Sequence, residues 1–177
     1  GIGPGDEVIV TPYSHVISAT APLIFDAIPV FADSDPDTFC MDPESIRNCI
    51  TARTKAIIVV DLFGQSADMN AIMEIADEHN LKVISDSAHI TCATYQGKTA
   101  GTLAHVGSYS FNAHKTIQSG EGGIAVTNDD DLALKLQLLR NHAENCVGAM
   151  ELEDITNMVG YNFRMTELEA AVAVEQF

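Results

Sequence analysis

The 177 residues carry 25 acidic and nine basic side chains, a formal net charge of −16, which argues against general nucleic-acid binding. Apolar residues at 46% and charged residues at 19% suit one domain with a real core and exclude compositional disorder. No apolar run is long enough to cross a bilayer, and no signal peptide or internal repeat is visible, so a cytoplasmic, non-membrane protein is expected.

The chain opens on Gly1-Ile2-Gly3-Pro4-Gly5-Asp6, which reads as a turn leaving a preceding element. Val8-Ile9-Val10 predicts a buried strand, His15 to Ala27 a helix, and Pro29 to Ala32 the next strand. Asp42-Pro43-Glu44 is a helix start, an N-cap aspartate followed by proline at the first helical position. Lys55 to Asp61 contains Ala-Ile-Ile-Val-Val, a strand expected to be buried on both faces. From Asp68 to His79, Met69, Ile72, Met73 and Ala76 fall on one helical face. Leu81 to Ser85 predicts a strand that ends at Asp86, and Val106 to Phe111 and Gly123 to Thr127 predict two more. Asp129 to Asn141 predicts a helix with Leu132, Leu136 and Leu139 as its apolar stripe. Thr166 to Phe177 reads as a helix without a C-terminal stop, its apolar face (Leu168, Ala171, Val172) short of packing. Both ends therefore suggest a fragment of a longer protein.

Strands alternating with helices imply a three-layer α/β/α fold with a mostly parallel sheet covered on both faces. Ligands in such folds bind beyond the carboxyl ends of the strands. Asp86 sits at such an end, and Lys115 lies in the loop after another strand, so both are candidates to face one crevice. Lys115 stands between Ser110-Phe111-Asn112-Ala113-His114 and the glycine-rich Ser119 to Gly123. The glycine–lysine order is wrong for a Walker A loop. A lysine in a dry crevice can have a lowered pKa and form a Schiff base, whereas a lone loop lysine is ordinarily solvated. Asp86 is open to two readings, a helix N-cap or the carboxylate partner of a cationic ring nitrogen. Cys40, Cys49, Cys92 and Cys146 form no C-x-x-C pair and no zinc-finger spacing; they read as buried reduced thiols, and no metal site is expected.

The combination of motifs is more specific than any one. Gly64 to Met69, Ile84 to His89, Tyr95 to Lys98, Gly107 to Phe111, Lys115 to Gly123 and Gly160 to Glu167 follow in an order that resembles the DegT/DnrJ/EryC1/StrS family across essentially the whole chain. The resemblance implies an aspartate-aminotransferase-like (fold type I) enzyme that works as a homodimer with pyridoxal 5'-phosphate. It implies transfer of an amino group from glutamate or glutamine to a nucleotide-linked keto-sugar, in amino-sugar biosynthesis.

Residue by residue, the resemblance implies that Lys115 holds the cofactor as a Schiff base and then shuttles the proton. Asp86 keeps the pyridine nitrogen protonated. His89 takes a place near the ring hydroxyl, and Ser110 binds the phosphate. His15 falls where the family puts an aromatic residue on the ring face; a surface histidine at a helix start is the competing reading. Asn162 and Arg164 match the segment that reaches the phosphate of the partner subunit, against the alternative of a solvated loop. Some relatives carry histidine in place of the lysine and act as dehydratases, which Lys115 argues against. Residues 1–177 are then most of the large domain, without an upstream phosphate loop and a C-terminal small domain. The rival readings are a desulfurase or lyase of the same fold, with Cys146 as its faint candidate nucleophile, and a cofactor-free binding or regulatory module.

Overall fold

The structure is a computed structural model that describes residues 1–144 and 158–177. Among these residues, eight strands and five α-helices follow in chain order as β1 (Glu7–Val10), α1 (Ile17–Leu23), β2 (Ile28–Phe31), α2 (Pro43–Cys49), β3 (Thr54–Val60), α3 (Met69–His79), β4 (Lys82–Asp86), β5 (Thr94–Tyr95), β6 (Lys98–Thr99), β7 (Val106–Ser110), β8 (Gly123–Val126), α4 (Asp130–Arg140) and α5 (Glu167–Val174). Six strands form one sheet in the order β2-β1-β3-β4-β7-β8, and β5 pairs with β6 as a separate hairpin. β2, β1, β3, β4 and β7 run parallel, while β8 returns antiparallel beside β7. The mostly parallel expectation holds, with an antiparallel strand at one edge. β2 forms the other edge; its Ile28 and the following Ala32 donate their amides to Asp6 and Val10 carbonyls.

Side chains alternate across the sheet. Ile9, Ile57, Val59 and Val83 point to one face and pack with Ile46 of α2 and Met69, Ile72 and Ile75 of α3. These make the larger core. Val8, Val10 and Ala56 point to the other face and meet Ala19 of α1 and Ala27. α2 and α3 begin where their sequences predict. Asp42 accepts the Glu44 amide, and Asp68 accepts the Ala71 amide. At the far end of α3, Asn80 takes the left-handed conformation that closes the helix.

Three details depart from the sequence reading. The first helix spans Ile17–Leu23 rather than His15 to Ala27. Pro22 lacks an amide proton, the last turn tightens to i→i+3 bonds, and Asp26 turns to positive φ. In α4 the buried leucine is Leu138, and Leu139 is exposed, so the apolar stripe is rotated from the Leu132–Leu136–Leu139 line. The thiols are not all buried, because Cys92 is exposed. Burial pushes the Cys40 and Cys49 thiols above their ordinary range. No described helix is long and apolar enough to cross a membrane, and the described residues hold no cluster of metal-ligating side chains.

Candidate functional site

A cleft of about 700 Å³ opens on the α1 side of the sheet, at the carboxyl ends of the central strands. Its floor follows from strand register. Ile58 pairs with Ile84, and Val60, Asp86 and Ser108 form one row across β3, β4 and β7. These five residues, and Ser110 two positions on from Ser108, share a face and line the cleft. α1 supplies Ile17, Ser18 and Ala21 as one wall, with Ser14 and His15 ahead of it. The turn after β4 contributes Ala88 and His89, and the loop after β7 contributes Asn112, His114 and Lys115.

Five of the residues singled out in the sequence, Lys115, Asp86, His89, His15 and Ser110, therefore meet in one cleft. Asp86 is half-buried, and its Oδ1 accepts the Ala88 amide at 3.2 Å. No helix follows β4 before the β5–β6 hairpin, so Asp86 caps none. The Ser110 hydroxyl accepts the Asn112 amide at 3.2 Å. His15 is exposed, and its Nδ1 accepts the Ile17 amide at 3.3 Å, so it supports the start of α1 while lining the cleft.

The loop carrying Lys115 is braced from two sides. Its base closes through Phe111 N–H to Gly122 O and Ala113 N–H to Gly120 O, both at 2.9 Å. Phe111 and Ile117 anchor it in a small core with Ala173 of α5. Gln176 clasps the Gln118 backbone, accepting its amide at 2.9 Å and donating to its carbonyl at 2.5 Å. α5 itself starts at a capping box between Thr166 and Glu169. Its Leu168 and Val172 remain exposed, as the sequence pattern led us to expect.

Electrostatics mark the cleft as a site for a polar ligand. His89 lies under the influence of both Lys115 and Asp86. Burial first, and the Lys115 cation second, push its pKa below the ordinary histidine value, against a smaller opposing pull from Asp86. Its ring stacks on Phe63 at 6.2 Å with a 10° interplanar angle. Among the described residues, the buried side-chain polar atoms without a hydrogen-bond partner are Ser18 Oγ and His89 Nδ1. Both belong to residues that line this cleft. Buried polar groups are almost always partnered, so two orphans in one cleft point to a ligand that completes them.

Asn162 and Arg164 lie elsewhere. Both are exposed, Asn162 bridges to Asn141, and Arg164 Nη1 donates to Asn141 Oδ1 at 2.5 Å. They do not line the cleft of their own chain. Cys146 falls outside the described residues.

The sequence reading missed Ser18, Ser108 and Asp61. Ser18 belongs to no motif, and Ser108 was read only as part of the Gly107 to Phe111 pattern; the helix face and the strand register place them at the cleft. Asp61 ends the β3 run as Asp86 ends β4, and that repeated position was its available signal.

The profile of the DegT/DnrJ/EryC1/StrS aminotransferase family matches residues 1–177. The chain belongs to that family. It is 45% identical over 176 residues to the GDP-perosamine synthase of Caulobacter vibrioides, covering 99% of this chain and 46% of that protein. It is 40% identical over 182 residues to the L-glutamine:2-deoxy-scyllo-inosose aminotransferase of Streptomyces fradiae, covering 99% of this chain and 43% of that protein. The aminotransferase of Psychrobacter cryohalolentis superposes with a TM-score of 0.93 at 39% identity, over 99% of this chain and 46% of that one. The chain thus spans less than half the length of these relatives. Its α/β architecture is that of fold type I, and the family is one of pyridoxal-phosphate-dependent aminotransferases.

Proposed function

We propose that this chain is most of the cofactor-binding large domain of a cytoplasmic, homodimeric pyridoxal-phosphate aminotransferase, in which glutamate or glutamine donates an amino group to a nucleotide-linked keto-sugar. The observation that carries the reading is the convergence of Lys115, Asp86, His89, His15 and Ser110 in one cleft at the carboxyl ends of the central strands. The names of two relatives favour the substrate class: one is a GDP-perosamine synthase, and the other names L-glutamine together with an inosose.

The residues fit the cofactor chemically. When bound, pyridoxal phosphate supplies the electron sink that amino-group transfer needs. Lys115 is the residue to hold it covalently, and its Nζ, once released, is the base that moves a proton. Asp86, at the centre of the floor, is the carboxylate that holds a proton on the ring nitrogen. Burial and Lys115 favour the neutral form of His89, and its orphaned Nδ1 would find a partner in a polar substituent of the ring. Ser110 keeps its hydroxyl proton to donate to a phosphate, because its oxygen already accepts the Asn112 amide. His15, on the cleft wall ahead of α1, would cover one face of the ring. Asn162 and Arg164 serve the neighbouring subunit's cleft, where the guanidinium fork matches a phosphate.

The test is to load the full-length protein with pyridoxal phosphate, supply glutamate or glutamine, and offer a panel of nucleotide-linked keto-sugars and 2-deoxy-scyllo-inosose. Mass spectrometry should find an amino-sugar product, with a 2-oxo acid formed from the donor. Release of an amino acid's side chain or sulfur instead would replace this reading with a lyase or desulfurase. Failure to retain the cofactor at all would leave a binding module.

A further inference from the structure

We propose that Asp61 is a positioning residue for Asp86. Its buried carboxylate clamps Ser85 and Ser87, the residues on either side of Asp86, and so fixes the aim of the Asp86 side chain into the cleft. The inference rests on the reading of the cleft given above.

Asp61 follows β3 directly and is 0% exposed. Its Oδ1 accepts the Ala67 amide at 3.0 Å. Its Oδ2 accepts the Ser85 hydroxyl at 2.9 Å and the Ser87 hydroxyl at 2.6 Å, and the two hydroxyls lie 2.9 Å apart. The Asp61 amide donates to the Asp86 carbonyl at 3.0 Å, so main chain and side chain grip the same three-residue stretch. By alternation, Ser85 and Ser87 turn toward the α2–α3 face, and Asp86 turns toward the cleft. Pulling both serines one way holds Asp86 the other way. The grip is needed because β4 ends at Asp86 and a turn follows. Asp86 Oδ1 takes the Ala88 amide from that turn, so its orientation depends on where Ser87 anchors the chain.

The composition of the cluster supports a positioning role over simple packing. A carboxylate is a costly group to bury, and among the described residues no cation forms a salt bridge with Asp61. Hydrophobic filler would stabilise that site as well. An acceptor-only group is what forces both serine hydroxyls to point inward, since a hydroxyl partner would let each rotate.

The test uses the full-length holoenzyme and three variants. Asp61→Asn keeps the shape but presents amide protons to the two hydroxyls. Ser87→Ala removes one arm of the clamp with little change in volume. Glu7→Gln is the control: Glu7 is another buried carboxylate of the sheet, held by Thr51 and Arg53 at the amino end of β1. In the cofactor-free protein, Asp61→Asn should accelerate amide hydrogen exchange at both Ala67 and Ala88, and Ser87→Ala should accelerate it at Ala88. In the loaded enzyme, both should alter the visible circular dichroism of the bound cofactor, which reports its orientation. Both should lower kcat about ten-fold, the size typical when a partner behind a functional ligand is lost, with KM for the amino donor nearly unchanged. Glu7→Gln should lower stability and move none of these readouts.

Faster exchange at Ala67 alone, with dichroism and kcat unchanged, overturns the inference and leaves Asp61 a local brace. If Asp61→Asn does not fold, Ser87→Ala decides by the same readouts. Asp86→Asn separates the two levels. If it retains full transfer, the cleft reading itself is wrong; if it loses transfer while Asp61→Asn and Ser87→Ala keep theirs, only the positioning role is wrong.

Discussion

Gly107 offers a sharp test of how tightly the site's frame is built. It sits in β7 between Ser85 of β4 and Val126 of β8. A Cβ added there would lie 1.8 Å from the Gly101 carbonyl oxygen and 2.7 Å from its carbon. Non-bonded heavy atoms want roughly 3.5 Å, so one backbone must retreat by roughly 1.5 Å. Neither can yield cheaply, because β7 is bonded on both sides and Gly101 is itself held in a turn at φ +86°. Overpacking costs about 1–3 kcal/mol where side chains can repack; here the obstacle is main chain, so Gly107→Ala should cost about 3 kcal/mol. β7 also carries Ser108 and Ser110 into the cleft and leads to Lys115, and a misplacement of about 1 Å can lower turnover about 100-fold. Urea unfolding of the full-length protein, followed by cofactor retention and transfer rate, measures both effects. Gly97→Ala is the comparison. Gly97, at the tip of the β5–β6 hairpin, also has positive φ (+79°) but faces open space, so its alanine should cost only the backbone term of about 1–2 kcal/mol and spare transfer. Equal stability losses in the two variants, or normal transfer in Gly107→Ala, would refute the close-approach argument.

Borohydride reduction of the loaded enzyme should fix the cofactor on Lys115, and Lys115→Ala should retain it only weakly; peptide mapping that placed the label on Lys98 or Lys135 would move the site. Asp86→Asn should bind cofactor but lose most transfer, a fall of about 100-fold or more in kcat, measured by steady-state kinetics. His105 accepts the Val83 amide on Nδ1 at 3.1 Å, and burial, then the Lys82 charge, lower its pKa. Its folded state therefore binds a proton less readily than the unfolded chain. Stability should hold above the ordinary histidine value of about 6.5 and fall as pH drops below it, with His89 adding in the same direction. Denaturation at neutral and mildly acidic pH, with His105→Gln flattening the slope, checks the sign.

Much of this fold is written in local patterns. β3 carries the continuous apolar run Ala56 to Val60, β4 has Val83-Ile84 between Lys82 and Ser85, and α3 combines an N-cap with period-3.6 burial, so each element was readable without its neighbours. The shortened α1 was not, because Pro22 and the Asp26 turn compete with an apolar stretch that looks helical throughout. The rotated stripe of α4 depends on what packs against it, which periodicity cannot supply when the eight residues from Leu132 to Leu139 are all leucine, alanine, lysine or glutamine. The same division holds in the site. Asp86 stands at the end of a strand, and Lys115 in the loop after one, places that the pattern marks. Ser108 and the Asp61 clamp arise only when register aligns three strands, and register is a property of pairs; Ser18 enters only when α1 packs beside the sheet. Asn162 and Arg164 were singled out through family resemblance alone, and their own chain gives them no place in the cleft.

Pro29 has a consequence for how this protein behaves in a crowded solution. Ile28 and Ala32 spend their amides on β1, so by alternation the nitrogen of Pro29 faces away from the sheet. Proline has no proton there to offer. The outer rim of β2, with Ile28 and Phe31 exposed beside it, would otherwise be a sticky template for a strand from another molecule. One missing donor in a four-residue strand leaves any incoming chain with a broken ladder. Replacing Pro29 with valine would restore the rung, and the expected change is greater self-association, with little effect on the fold.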